Sequence, residues 1–145
     1  MKLGIALVTM DRPGILRQTL SAIARATAAV SMPIVIVDNG STDPDTLEIL
    51  NEEATTQRIQ VIRNASNLGL SRAVNQGLAA LDALGVDILI HFDDDALIID
   101  EAHALRALEI FQEHPRLGLV VPGASSYPEC IEHGGAFREI RWGLG

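Results

Sequence analysis

A doubly wound, mostly parallel α/β sheet with helices on both faces is the fold the sequence predicts, and three observations predict it. Five short aliphatic runs alternate with stretches of helical period. The runs are continuous in apolar character, as in strands buried on both faces. The first four end in clusters of polar residues and turn formers, where a strand hands over to its crossover. Right-handed crossovers stack such units into one sheet.

The first run is Leu3 to Met10, closed by Asp11, Arg12 and Pro13. Leu16, Leu20 and Ile23 then recur at helical spacing to about Ala29, and Pro13 suits a first helical turn. The second run, Pro33 to Val37, leads into the turn formers Asp38, Asn39, Gly40 and Ser41. Thr42 or Asp43 can cap a helix carrying Leu47 and Leu50 on one face, with Asp45 and Glu48 near its positive end. The third run, Ile59 to Ile62, runs into a polar loop from Asn64 to Asn67.

A third helix turns Ala73, Val74, Gly77, Leu78 and Leu81 inward and stops near Gly85. The fourth run, Asp87 to Phe92, ends in Asp93, Asp94 and Asp95. A further helix with Ala104, Leu105, Leu108 and Phe111 inward is ended by His114 and Pro115. Leu117 to Val121 is the fifth run, and a strand pair is expected between Cys130 and Trp142.

The 145 residues suit one domain spanning 1–145, without internal repeat, low-complexity tract or linker. The formal net charge of -8 repels polyphosphate backbones, which argues against nucleic acid as a partner. An anionic ligand would need local positive charge, most simply a metal ion. The single cysteine, Cys130, excludes an internal disulfide, and no nucleophile motif surrounds it. Leu3 to Val8 is too short for a signal peptide's core and meets charge at Asp11, and no stretch reaches the roughly 18 apolar residues of a membrane span. The expected compartment is the cytoplasm.

In an open parallel sheet, ligands bind outside the carboxyl ends of the strands. Here those ends carry Thr9, Asp11 and Arg12; Asp38 and Asn39; Asn64 to Asn67; and Asp93 to Asp95. The aspartate triplet is the sharpest feature. Two unit charges about 6 Å apart repel by roughly 2 to 3 kcal/mol at an effective dielectric near 20. A hard divalent cation with oxygen ligands relieves that repulsion and leaves open positions for phosphate oxygens. The bland alternative is an acidic turn facing solvent, with Asp95 as a helix cap. Asp38 can accept from a base N–H or a ribose hydroxyl, or else close an Asx turn beneath Gly40. Arg72, near the opening of the third helix, can reach phosphate or a base carbonyl, or else stand as an exposed helical arginine. His91 reads as a structural histidine, and His103 and His114 as surface residues. Glu132 and His133 are weak acid, base or ligand candidates. Neither a Gly-rich dinucleotide fingerprint nor a GKS/GKT phosphate loop is present.

The stretches VTMDRPGILRQTL, IVIVDNGSTD, NLGLSRAVNQGL and ILIHFDDDALI, in this order and spacing, resemble family-2 glycosyltransferases of the GT-A fold. The resemblance covers about Leu3 to Pro122. It implies that Thr9, Asp11 and Arg12 line the nucleoside pocket, together with Asn39, Asn67 and Gly69. Asp38 would accept from the base, and Arg72 would hold base or diphosphate. Asp93 to Asp95 would form the family's DxD element: Asp93 and Asp95 as metal ligands, Asp95 foremost, with Asp93 or Asp94 nearer the ribose. The implied cofactor is Mn²⁺ or Mg²⁺, and the implied donor a UDP-, dTDP- or GDP-linked sugar. An acceptor hydroxyl on a carbohydrate or lipid-linked substrate would attack with inversion. FDDDA and the later GG are similar to rhamnosyl- and galactofuranosyl-type members.

Family members run further past the fifth strand, into the acceptor pocket and the catalytic base. The chain is therefore expected to be short or truncated at its C-terminus, with Glu132 and His133 the weak stand-ins for a base. Apolar surface left by an absent acceptor half would favour a homodimer. Two rival functions remain: a non-catalytic nucleotide-sugar-binding or assembly module, and a sugar-nucleotide pyrophosphorylase of related fold. The second typically opens with a glycine- and arginine-rich loop, which Thr9 to Pro13 lacks.

Overall fold

The structure, a computed structural model, describes residues 1–28, 32–95, 103–114, 116, 130–133 and 137–140. Six strands and four helices lie within them: β1 Leu3–Thr9, α1 Pro13–Ala26, β2 Ile34–Asp38, α2 Pro44–Glu53, β3 Ile59–Arg63, α3 Leu70–Ala83, β4 Ile88–Asp93, α4 His103–Glu113, β5 Cys130–His133 and β6 Phe137–Ile140. The chain divides into two compact units, Met1–Leu108 and Glu109–Gly145. The first holds a four-stranded parallel sheet in the order β3-β2-β1-β4. In the second, β5 and β6 form an antiparallel pair in which Glu132 stands opposite Arg138 and His133 opposite Phe137. That pair falls where the sequence expects one; the expected strand from Leu117 to Val121 lies outside the described residues.

Strand order follows from burial. Every residue of β1 and β2 is buried, as central strands covered on both faces require. On one face Ala6, Val8, Val35 and Val37 pack against Ala73 and Leu81 of α3 and against Val86. Alternation puts Ile5, Leu7, Ile34 and Ile36 on the other face, where buried residues of α1 (Leu16, Leu20, Ile23) and α2 (Ile49, Leu50) cover them. Two successive right-handed crossovers place α1 and α2 on one side, and the return through α3 falls on the other.

Small residues set how closely α3 approaches. A Cβ on Gly77 would stand 3.1 Å from the Ala6 Cβ, and one on Gly4 would meet Leu81 and Val86 side-chain carbons at 2.9 Å. The helix thus lies nearly on the backbone of β1. Pro13 begins α1 as expected, but α1 ends at Ala26 instead of about Ala29. Its cap, Thr27, turns its carbonyl and hydroxyl towards the Arg58 guanidinium, 3.5 and 3.4 Å away. In α2, Asp43 is the cap, accepting from the Thr46 amide at 2.8 Å, and the buried face centres on Thr46, Ile49 and Leu50. Leu47 falls at the edge of that face and is half-buried.

Overpacking a full core costs about 1–3 kcal/mol. Gly77→Val should therefore lower the unfolding free energy by about that amount, read as a lower urea midpoint at an unchanged slope. An unshifted midpoint would mean that α3 does not lie this close to β1.

Candidate functional site at the carboxyl ends of the strands

The order β3-β2-β1-β4 makes the gap between β1 and β4 the point where strand order reverses, and such a crevice is where doubly wound sheets bind ligands. Backbone ladders carry the edge past the strands. The Asn39 amide donates to the Thr9 carbonyl, and the Asn64 amide to the Asp38 carbonyl, each at 2.9 Å. Thr9, Asp38, Asn39 and Asp94 are all buried at this edge.

Asp94 is pinned on three sides. Its Oδ2 accepts from the Thr9 hydroxyl at 3.1 Å and its Oδ1 from Arg12 Nη1 at 2.6 Å. Its backbone carbonyl accepts from the Thr19 hydroxyl at 2.5 Å. The same guanidinium reaches Asp95 Oδ2 at 3.4–3.5 Å. The Asp94 side chain is 8% exposed and that of Asp95 58%. Asp93 pairs in register with Val8, on the sheet face that α3 covers, and its carboxylate lies 3.5 Å from His91 Nε2. The three consecutive acids thus occupy three environments: ion-paired and buried, loosely held and exposed, and turned to the opposite face. Among the described residues no group of three or more His, Cys, Asp and Glu side chains converges on one point. Asp95 offers the hard, accessible oxygen that a divalent cation prefers, and phosphate oxygens would have to complete its shell.

Asp38 serves two ends. Its Oδ1 accepts from the Ser41 amide at 2.8 Å, closing the Asx turn. Its Oδ2 accepts no bond among the described residues, and the residue is 2% exposed. Turn and ligand acceptor are therefore compatible roles. Arg72 is exposed in the first turn of α3, with the exposed Leu70 beside it. The side chains of Glu132 and His133 lie outside the described residues.

A network of amides that sequence reasoning had not connected holds the loops in place. Asn39 Oδ1 accepts from Asn64 Nδ2 (3.2 Å) and the Leu68 amide (3.0 Å), while Asn39 Nδ2 donates to Asn67 Oδ1 (2.9 Å). Asn67 Oδ1 also accepts from the Gly69 amide at 2.8 Å, and Asn67 Nδ2 reaches Met10 Sδ at 3.2 Å. Asn64 and Gln76 exchange two bonds of 2.9 Å. Asn39 and Asn67 thus spend their amides on the loops. Gly40 closes the same junction: at φ +91, a Cβ there would stand 2.5 Å from the Ser66 carbonyl carbon. The sequence signals were the three asparagines at strand ends, but spacing alone does not say that they meet.

Asp11 is a brace as well. It adopts φ +49, a left-handed conformation that aspartate tolerates better than most residues. Its Oδ1 accepts from the Asp43 amide at 2.8 Å and the Thr42 amide at 2.6 Å, and its own amide donates to Ser41 Oγ. The Asp43 and Thr42 amides hold its carboxyl below its ordinary value of 3.8.

With this geometry in view, the model of the family described as "Glycosyl transferase family 2" matches residues 5–133. The chain belongs to that family. One relative is an uncharacterized protein, y4gI, of Sinorhizobium fredii (strain NBRC 101917 / NGR234), 31% identical over 134 residues that make up 90% of this chain and 14% of the relative. Among solved structures, S. aureus TarS 1-349 superposes with a TM-score of 0.62 at 21% identity, over 79% of this chain and 33% of that one. A mannosyltransferase from Pyrobaculum calidifontis, in complex with GDP-Man and Mn²⁺, superposes with a TM-score of 0.64 at 19% identity, over 76% and 32%. The doubly wound α/β fold expected from the sequence is therefore that of GT-A glycosyltransferases. The chain spans a third or less of each relative's length. No described helix is long and apolar enough to cross a membrane.

Because the folded pKa of Asp11 is depressed, its charge stabilises the fold above the ordinary value, and this contribution is lost as pH falls through the folded value. Asp11→Asn should thus be less stable than wild type at pH 7 in denaturant unfolding, with the two converging below about pH 4. A difference that stays constant down to pH 3 would remove the charge of Asp11 from the account.

Proposed function

We propose that the chain binds a nucleoside diphosphate sugar at the β1/β4 crevice, as the donor-binding part of a metal-dependent glycosyltransferase. One observation carries this: at the switch point an exposed carboxylate, Asp95, stands beside a pinned Asp94–Arg12 pair, one strand away from Asp38, whose Oδ1 closes the Asx turn and whose Oδ2 accepts no bond among the described residues. Asp38 accepts from the base or the ribose. Asp94 fixes the floor through Thr9 and Arg12, and Arg72, exposed in the first turn of α3, is the candidate partner for base or phosphate. Thr9, Asp11, Asn39, Asn67 and Gly69 shape the pocket, the last four chiefly by holding its loops.

Asp95 is the carboxylate that would hold Mn²⁺ or Mg²⁺; Asp93, beside His91 on the α3 face, is the second acid the sequence named. The ion, when bound, supplies positive charge against the departing diphosphate. Support for both ligands comes from the relatives: TarS has been crystallised with UDP and with UDP-GlcNAc, and the mannosyltransferase with GDP-Man and Mn²⁺. In transfer with inversion an acceptor hydroxyl oxygen bonds to the anomeric carbon as the bond to the diphosphate oxygen breaks. The hydroxyl proton passes to a base, for which Glu132 and His133 are this chain's candidates. The acceptor is a carbohydrate or lipid-linked hydroxyl.

Isothermal titration of UDP, dTDP and GDP, each with and without Mn²⁺, tests this. One nucleotide should bind at least tenfold more tightly with the metal, and Asp95→Asn should abolish that gain while the protein stays folded. Equal metal-dependent affinity in the variant would remove Asp95 as a ligand, and no binding of any nucleotide would remove the donor site.

A further inference from the structure

We propose that Arg12 is the resident counter-ion of the acidic strand end, and that it yields Asp95 to a divalent cation only when a nucleoside diphosphate arrives to receive its guanidinium. The proposal deepens the donor-site reading above and rests on it.

The grip of Arg12 on its two partners is unequal. The bond to Asp94 is 2.6 Å long and its acceptor nearly buried; the contacts to Asp95 are 3.4 and 3.5 Å long and their acceptor 58% exposed. Asp94 is also held by the Thr9 and Thr19 hydroxyls, whereas Arg12 is the sole partner of Asp95 among the described residues. Asp95 is thus the carboxylate that can be released without unpicking the fold. The release needs no backbone movement. Arg12 is the N-cap residue of α1, with its carbonyl fixed by the Leu16 amide at 2.9 Å, yet its side chain caps nothing and is 45% exposed. A guanidinium carries five N–H donors, so those not aimed at the two carboxylates remain for phosphate oxygens.

Charge then sets the order of events. Two carboxylates facing one guanidinium leave only one excess negative charge for an incoming cation. A divalent ion entering alone also meets the positive charge of Arg12 a few ångströms away, a repulsion that solvent around these half-exposed side chains reduces but does not abolish. A diphosphate reverses both effects, because it adds negative charge beside the ion and offers acceptors to the displaced fork. Metal and nucleotide should bind with positive coupling, and linkage requires that coupling to be the same from either side.

The test measures Mn²⁺ alone, by the electron paramagnetic resonance signal of the free ion, and then each partner in the presence of the other by titration. Wild type, Arg12→Gln and Arg12→Lys are compared. In wild type, the nucleotide should tighten Mn²⁺ binding at least tenfold, and Mn²⁺ the nucleotide by the same factor. Arg12→Gln should bind Mn²⁺ alone at least tenfold more tightly than wild type, with the coupling factor falling towards one. Arg12→Lys keeps a cation beside Asp94 but loses the planar fork; it should fall between the two, and it carries the test alone if the glutamine variant unfolds. A merely structural Arg12 would weaken both ligands and leave the coupling factor unchanged, and that result overturns the proposal while the donor site stands. Wild type that binds no nucleotide with metal would overturn the donor site, and this inference with it.

Discussion

The burial of one carboxylate at the switch point constrains everything around it. Asp94 sits where β1 and β4 part, nearly out of water, where burying a carboxylate is costly unless it is paired and hydrogen-bonded. The Thr9 hydroxyl and the Arg12 guanidinium supply it. Opposite unit charges about 4 Å apart attract by about 4 kcal/mol at an effective dielectric of 20, before desolvation is deducted. Since Arg12 is 45% exposed, solvent screens the pair and the net contribution is smaller. The geometric effect does not shrink in the same way: the pair ties the start of α1 to the end of β4 across the crevice.

Around that tie the loops are held by directional bonds rather than by apolar packing. Asp11 bridges the loop after β1 to the loop after β2 through two backbone amides. Asn39 and Asn67 bridge the loop after β2 to the loop before α3. Such bonds cost little in the folded state because their donors and acceptors would otherwise be unsatisfied at strand ends. They also fix Asp38 and the start of α3 relative to one another, which a binding site needs more than it needs stability.

The fold was legible because hydrophobic periodicity is written continuously along the chain: LGIALVT and IVIVD admit few alternatives to buried parallel strands. The polar strand ends were legible for the same reason, since they begin where the apolar runs stop. What each polar residue does there was less so. Asn39 and Asp11 turn their polar groups on neighbouring loops, and such partners, 28 and 32 residues away, follow from a loop geometry that no local pattern encodes. The three consecutive aspartates were read as one element, but alternation at the end of β4 sends Asp93 to the other face, and only the structure separates tightly held Asp94 from loosely held Asp95. Where α1 ends was less legible: helical spacing runs on to about Ala29, whereas the helix stops at Ala26 with Thr27 as its cap.

Gly40 has a mechanical consequence. Because it is seated against the backbone at Ser66 with no room for a methyl group, the segments after β2 and before α3 are locked like meshed gears. Neither can lengthen, tilt or hinge without carrying the other. A crevice walled by such a unit adapts to its guest through its longest and least buried side chains, so accommodation here becomes a question of rotamers rather than of loop movement.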